Sequence, residues 1–198
     1  MVQNLLAQIV ELIDSREDIR MDEIPEYRLY ISQLEEFFDK KLGKASDNDE
    51  ERKVISKTMI QNYIKDGLLM PPDGKSYNRS HVILLILIYS LKSILSIRDI
   101  RRLFNPVLPD INDDENHSDI DYIYENYLSL KQASVEKLHF ELEELLSRVE
   151  ERPIPPGKTP GEQHNLRLLL FISTLITEAN LMKQIAEFLI DKYFVSEV

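Results

Sequence analysis

A chain of 198 residues, 43% hydrophobic and 30% charged, is sized for one domain or two small ones and carries too much apolar surface to be disordered throughout. It has no cysteine, which excludes disulfides, thiol nucleophiles, iron–sulfur clusters and Cys-ligated zinc. The net charge of −11 is unevenly spread: Arg52 to Arg102 holds ten Lys and Arg against three Asp, net +7, which leaves −18 for the remainder, the balance of a protein that meets phosphates with one face only.

In chain order, Val2–Asp14 places Leu5, Leu6, Ile9, Val10, Leu12 and Ile13 at helical spacing, so a short amphipathic helix is expected, docked on the C-terminal helices. The start carries no basic segment and no cleavage site of a secretory signal. Ile24-Pro25 marks a boundary. Tyr27–Leu42 reads as a second helix with Leu34, Phe37, Phe38 and Leu42 on its apolar stripe and Gly43 as its stop. Ala45–Glu51 is an acidic, exposed loop by composition.

Ser56 or Thr58 begins a third helix by accepting free backbone N–H groups of its first turn. Met59, Ile60, Tyr63 and Ile64 face inward, Lys57, Gln61, Asn62 and Lys65 face outward, and Gly67 ends the helix. Met70–Tyr77, MPPDGKSY, holds Pro-Pro and Asp-Gly and predicts a small two-stranded wing. Ser80 is expected to cap Val82–Leu91, an all-round apolar run whose length favours a buried helix. Ser96 caps Ile97–Phe104, with Arg98, Arg101 and Arg102 as a basic face.

Asn105–Ser118 reads as a linker and Asp119–Glu151 as a long helix with an imperfect three-four stripe. Arg152–Gly161, RPIPPGKTPG, reads as a Pro-rich break. Gln163–Phe194 is a last helix whose apolar face is too wide for solvent and must be covered. The longest apolar runs, Val82–Tyr89 and Leu168–Ile172, fall well short of the ~20 residues of a membrane helix, so a soluble, cytoplasmic chain without a membrane partner is expected.

The chemistry points to duplex DNA. A recognition helix puts polar side chains near its N-terminus against base edges. Gln61 and Asn62 can read adenine through paired donor and acceptor groups, Lys57 and Lys65 can hold phosphates, and a wing with Lys75, Tyr77 and Arg79 can reach the backbone beside the groove. With Thr58, these eight residues are the candidate DNA-binding set. His81, His117, His139 and His164 are scattered without ligand spacing and read as surface or capping histidines. Asp110, Asn112, Asp114, Asn116, Ser118 and Asp121 alternate like a calcium loop, but Glu115 stands where that loop needs Gly, so a solvated linker is expected. There is no phosphate-binding Gly loop, nucleophile elbow or zincin motif; no catalytic residue, metal or cofactor is expected.

Met59 to Leu69, MIQNYIKDGLL, resembles the recognition helix and Gly-Leu-Leu end of MerR-type regulators. Pro71-Pro72 and Tyr77 sit where that family has its Pro-rich wing and its Tyr, and Leu95 to Ile100, LSIRDI, resembles its later short helix. From Ile24-Pro25 to Phe104-Asn105-Pro106 the chain resembles an uncharacterised bacterial family of unknown function with a MerR-like domain. The resemblance implies a winged helix-turn-helix, sequence-specific binding to double-stranded DNA and a homodimer, with an effector of unspecified chemistry. It departs at Gln61, where the family has Arg, and at Asn62 in the aromatic pair. The expected architecture is mainly α: a packing helix at 1–20, a MerR-like winged helix-turn-helix with a small two-stranded wing at 21–106, an acidic linker at 107–117, and a C-terminal helical pair for dimerisation or sensing at 118–198. The other reading of the same scaffold is a non-enzymatic protein-interaction module.

Overall fold

The computed structural model describes residues 2–15, 18–43, 54–112 and 118–194, with backbone alone for 2–4 and 118. The expected acidic loop at Ala45–Glu51, His117 and the middle of the calcium-like stretch lie outside the described residues. The chain is mainly helical, and backbone packing divides it into two compact units, Met1–Glu17 with Ser129–Ala186 and Asp18–Leu128 with Glu187–Val198.

The second unit is built around one helix. In order it holds β1 (Leu29–Tyr30), α2 (Ile31–Leu42), α3 (Lys57–Lys65), β2 (Ser76–Tyr77), α4 (Arg79–Leu91) and α5 (Ile97–Phe104). It also takes in the first turns of α6 (Ser118–Glu150) and the last of α7 (Pro160–Tyr193). Every residue of α4 from Ser80 to Ile88 is buried, because apolar side chains of the other elements surround it, among them Leu34 and Phe38 of α2, Ile60 of α3, Ile100 and Phe104 of α5, and Tyr124 of α6. That is why its run is apolar all round.

Five local assignments differ from the sequence expectation, each for a visible reason. The two-stranded sheet is present but is not a hairpin within Met70–Tyr77: Leu29 pairs with Tyr77 and Tyr30 with Ser76, antiparallel. Pro71 and Pro72 have no N–H to give a ladder. The carbonyls of Met70 and Pro71 face His81 Nε2 and accept from Asn112 Nδ2, respectively. The Asp73-Gly74 turn does form, with Gly74 at φ +72°, braced by the Arg28 guanidinium donating to the Asp73 carbonyl.

Because Leu29-Tyr30 is strand, α2 starts at Ile31 rather than Tyr27, and Gln33 Oε1 accepts the Tyr30 N–H at 2.9 Å. Asn78, not Ser80, caps α4 by accepting the His81 N–H, so Ser80 sits inside the helix, fully buried. His81 is a core residue at 0% exposure rather than a surface one. The stretch expected as a linker begins as packed chain: Leu108 of the 3-10 turn Leu108–Asp110 and Ile111 are buried in the same core.

α3 begins and ends as its residues require. Ser56 Oγ accepts the Met59 N–H, and Glu35 of α2 accepts the Lys57 N–H at 2.7 Å. At the other end Leu68 N–H bonds the Tyr63 carbonyl and Gly67 N–H the Ile64 carbonyl, a Schellman pair that needs the left-handed φ of +67° Gly67 adopts.

Tyr124 fastens α6 to this unit by donating its hydroxyl hydrogen to the buried Ile19 carbonyl. Burial first, then the nearby charges of Asp18, Tyr127 and Glu23, push its phenol well above the ordinary value near 10, and burial raises Tyr63 and Tyr77 in the same direction. A folded-state value raised above the unfolded one means the contribution is intact below pH ~10 and is lost as pH rises from there toward the folded value. Urea titrations from neutral pH to about 11 should therefore show falling stability above ~10. Tyr124→Phe should cost about 1–3 kcal/mol at neutral pH, by orphaning the Ile19 carbonyl, while flattening the alkaline decline.

In the first unit, α1 (Val2–Asp14) supplies Leu5, Leu6, Ile9 and Ile13 to a small core with Leu142, Leu145, Leu146 and Val149 of α6 and Phe171 of α7. The residues between α6 and α7 reverse the chain. Thr159 caps α7 as a capping box: Glu162 N–H bonds Thr159 Oγ1 and Glu162 Oε2 takes the Thr159 N–H. Pro160 fits as the first helical residue because its missing N–H is an orphan there anyway. α7 is thus 34 residues long. Though no contiguous apolar run reaches membrane length, this helix is long and apolar enough to cross a membrane by length and composition.

Candidate nucleic-acid interface

Of the eight residues expected to touch DNA, five lie on one face of one helix. Lys57, Gln61 and Lys65 follow each other at i, i+4 and i+8, and Thr58 and Asn62 run beside them; all five are exposed. The opposite face is fixed by Ile60 and Tyr63 in the core, so the polar stripe has one orientation. A turn of α-helix repeats every 3.6 residues, and this spacing keeps the amides and the lysines on adjacent lines, the lysines at the helix ends and the amides between them.

At the start of α3 the N–H groups of Met59 and Lys57 are already taken by Ser56 and Glu35, so a phosphate here is held mainly by side chains. Lys75 is exposed on the turn before β2. Among the described residues Lys57, Lys65 and Lys75 form no ion pair.

The remaining two are not on that surface. Tyr77 is buried, stacking edge-on with His81 at a 5.5 Å centroid distance. Arg79 folds inward with its side chain 15% exposed: its guanidinium donates to the Ile24 and Met21 carbonyls, each at 3.0 Å, and pairs with Asp121 at 3.6 Å. Both side chains hold the unit together.

The structure adds one cation that sequence reasoning left out of the set. Arg101 of α5 is exposed, and its guanidinium lies against Gly67 at the end of α3: a Cβ on Gly67 would come within 3.3 Å of Arg101 Cζ and Nε. Arg98, one turn earlier, is also exposed. Arg102, the third arginine of the expected basic face, is spent elsewhere. It donates to the Phe194 and Ile190 carbonyls and pairs with Asp191 and Asp99, tying the end of α7 to α5. The signal for Arg101 was the pair of facts that α5 is basic and that Gly67 leaves room beside it; the sequence carries both but not their adjacency.

Among the described residues no group of three His, Asp or Glu side chains is arranged to hold a metal ion. His81 places Nδ1 2.6 Å from Asn78 Oδ1 and Nε2 3.2 Å from the Met70 carbonyl, which commits both ring nitrogens to packing.

A family model described as a domain of unknown function, DUF1836, matches residues 19–127. No curated protein and no solved structure matches the chain.

Proposed function

The chain belongs to the DUF1836 family, and from that premise we propose that it is a non-enzymatic, cytoplasmic regulator that binds double-stranded DNA sequence-specifically, with α3 as its recognition helix. One observation carries the reading: the exposed stripe Lys57, Thr58, Gln61, Asn62 and Lys65, backed by a buried face and extended by Arg101. Lysines at both ends suit phosphates on the two sides of a major groove, and amides between them suit base edges. The basic excess of residues 52–102 within an acidic chain supports the same assignment. In the finer reading the domain is a MerR-like helix-turn-helix, with the Asp73–Lys75 turn in the place of the wing and Lys75 on its outer side.

The experiment is selection of bound sites from a random duplex library, followed by affinity against salt. An enriched sequence is expected, with log affinity falling linearly with log salt. Lys57→Ala, Lys65→Ala and Arg101→Ala should each shallow that slope by about 1. Gln61→Ala should cost about 1–3 kcal/mol on the selected site and little on other duplexes. Failure to enrich any sequence, together with affinity indifferent to salt, would leave the protein-interaction reading in its place.

A further inference from the structure

A cavity of about 460 Å³ opens in the first unit between α1, the end of α6 and the start of α7. Its floor is apolar: Leu146, Val149 and Phe171 are buried there, and half-buried Leu5 and Leu168 also line it. The exposed lining residues Gln8 and Glu150 mark its mouth. The volume falls within the roughly 300–1,000 Å³ of small-molecule sites, which are mostly apolar with a few polar groups converging on them.

The polar groups here come from one face of α7. Gln163, His164 and Arg167 stand at i, i+1 and i+4, all half-buried and all on the cavity wall. Arg167 is the informative one. Its Nε is shut off from the surface and meets no hydrogen-bond acceptor. Its Nη2 reaches the Glu150 carbonyl at 3.4 Å, and among the described residues its guanidinium forms no ion pair. The chain has 35 Asp and Glu against 24 Lys and Arg, yet none of those carboxylates is set against this arginine. A half-buried cation in an apolar wall is costly unless an anion meets it. A guanidinium also holds a carboxylate through two parallel N–H bonds at once.

Charge sets the class of ligand. Arg167 disfavours a cation at this wall, and Glu150 at the mouth disfavours a second negative charge. The apolar floor calls for an apolar body. We propose that this cavity binds a small amphipathic monocarboxylate, with its body on Leu146, Val149 and Phe171 and its carboxylate on the Arg167 guanidinium. The proposal does not rest on the DNA reading.

The test is isothermal titration of the full chain with sodium octanoate, beside 1-octanol, which has the same tail and no charge. Octanoate should bind at one per chain and about tenfold or more tighter than 1-octanol, the scale of one charge-assisted hydrogen bond. Arg167→Gln should weaken octanoate by about tenfold or more and leave 1-octanol unchanged. Backbone amide shifts should locate bound octanoate at Leu146, Val149 and Phe171. The proposal is overturned by no saturable binding of octanoate, by equal affinity for the two probes, or by an Arg167→Gln variant that binds octanoate like the wild type. Shifts confined to the exposed Leu169, Ile172 and Ile176 overturn it too, as does displacement of octanoate by equimolar inorganic phosphate, which would mean an anion site with no apolar requirement. Should Arg167→Gln lose its helical spectrum, the wild-type preference between the probes and the shift map decide.

Discussion

Asn78→Ala is expected to destabilise the Asp18–Leu128 unit by about 3–5 kcal/mol, since one substitution removes a helix cap and orphans buried polar groups at the same time. The Asn78 amide is used at both ends. Its Oδ1 accepts the backbone N–H of His81 at 3.2 Å and faces His81 Nδ1 at 2.6 Å, while its Nδ2 donates to the Ile111 carbonyl at 2.8 Å. The Ile111 carbonyl can only accept and the His81 N–H can only donate, so these neighbours fix which way the amide points. Alanine would uncap α4 and leave the His81 ring and the Ile111 carbonyl without these partners in a fully packed core. Asn78→Asp keeps the capping oxygen and loses the donor, so it should fall between the two. The measurement is the urea midpoint at constant slope; a midpoint for the alanine variant within experimental error of the wild type would show that the network is dispensable.

Arg79→Ala should cost about 2–4 kcal/mol, through hydrogen bonds from a charged donor to two carbonyls in partly buried positions and the loss of the ion pair to Asp121. The fork reaches Met21 and Ile24 at once, fastening the segment before β1 to the start of α4. Lysine cannot make that fork, so Arg79→Lys should recover less than half of the loss. This substitution also separates two kinds of basic residue that look alike in sequence. Lys57 and Lys65 should alter the salt slope of DNA binding and leave the unfolding midpoint alone; Arg79 should do the reverse. Unchanged unfolding of Arg79→Ala, with a shallower salt slope, would return this arginine to the DNA surface.

What could be read in advance follows from how local the information is. The helices of the second unit, the caps at Ser56 and Ser96 and the Gly67 stop depend on residues within one or two turns, and the spacing of Ile60 and Tyr63 gave the buried face of α3 directly. The partner of β2 lies 47 residues upstream, beyond any local pattern, so the Asp-Gly turn drew the expectation of a hairpin. Arg79 and Tyr77 have the composition of a surface wing and lie inward because Met21, Ile24, Asp121 and His81 meet them there. The Thr159-Pro160-Gly161-Glu162 capping box was legible, a Thr with Glu three residues on and Pro between, but was masked by the neighbouring prolines. Lys57, Thr58, Gln61, Asn62 and Lys65 could be grouped from helical periodicity alone. Arg101 required the third dimension.

The contact between Gly67 and Arg101 has a consequence for how this domain can diverge. Position 67 is held to glycine by its left-handed backbone, and the Arg101 guanidinium lies close beside it. Asparagine tolerates that backbone, yet its Cβ would push against the arginine. The two sites are therefore coupled: a residue that replaces Gly67 displaces the exposed Arg101 guanidinium by a few tenths of an ångström, and if Arg101 belongs to the DNA surface, drift in a helix stop becomes a small change in where the neighbouring cation sits.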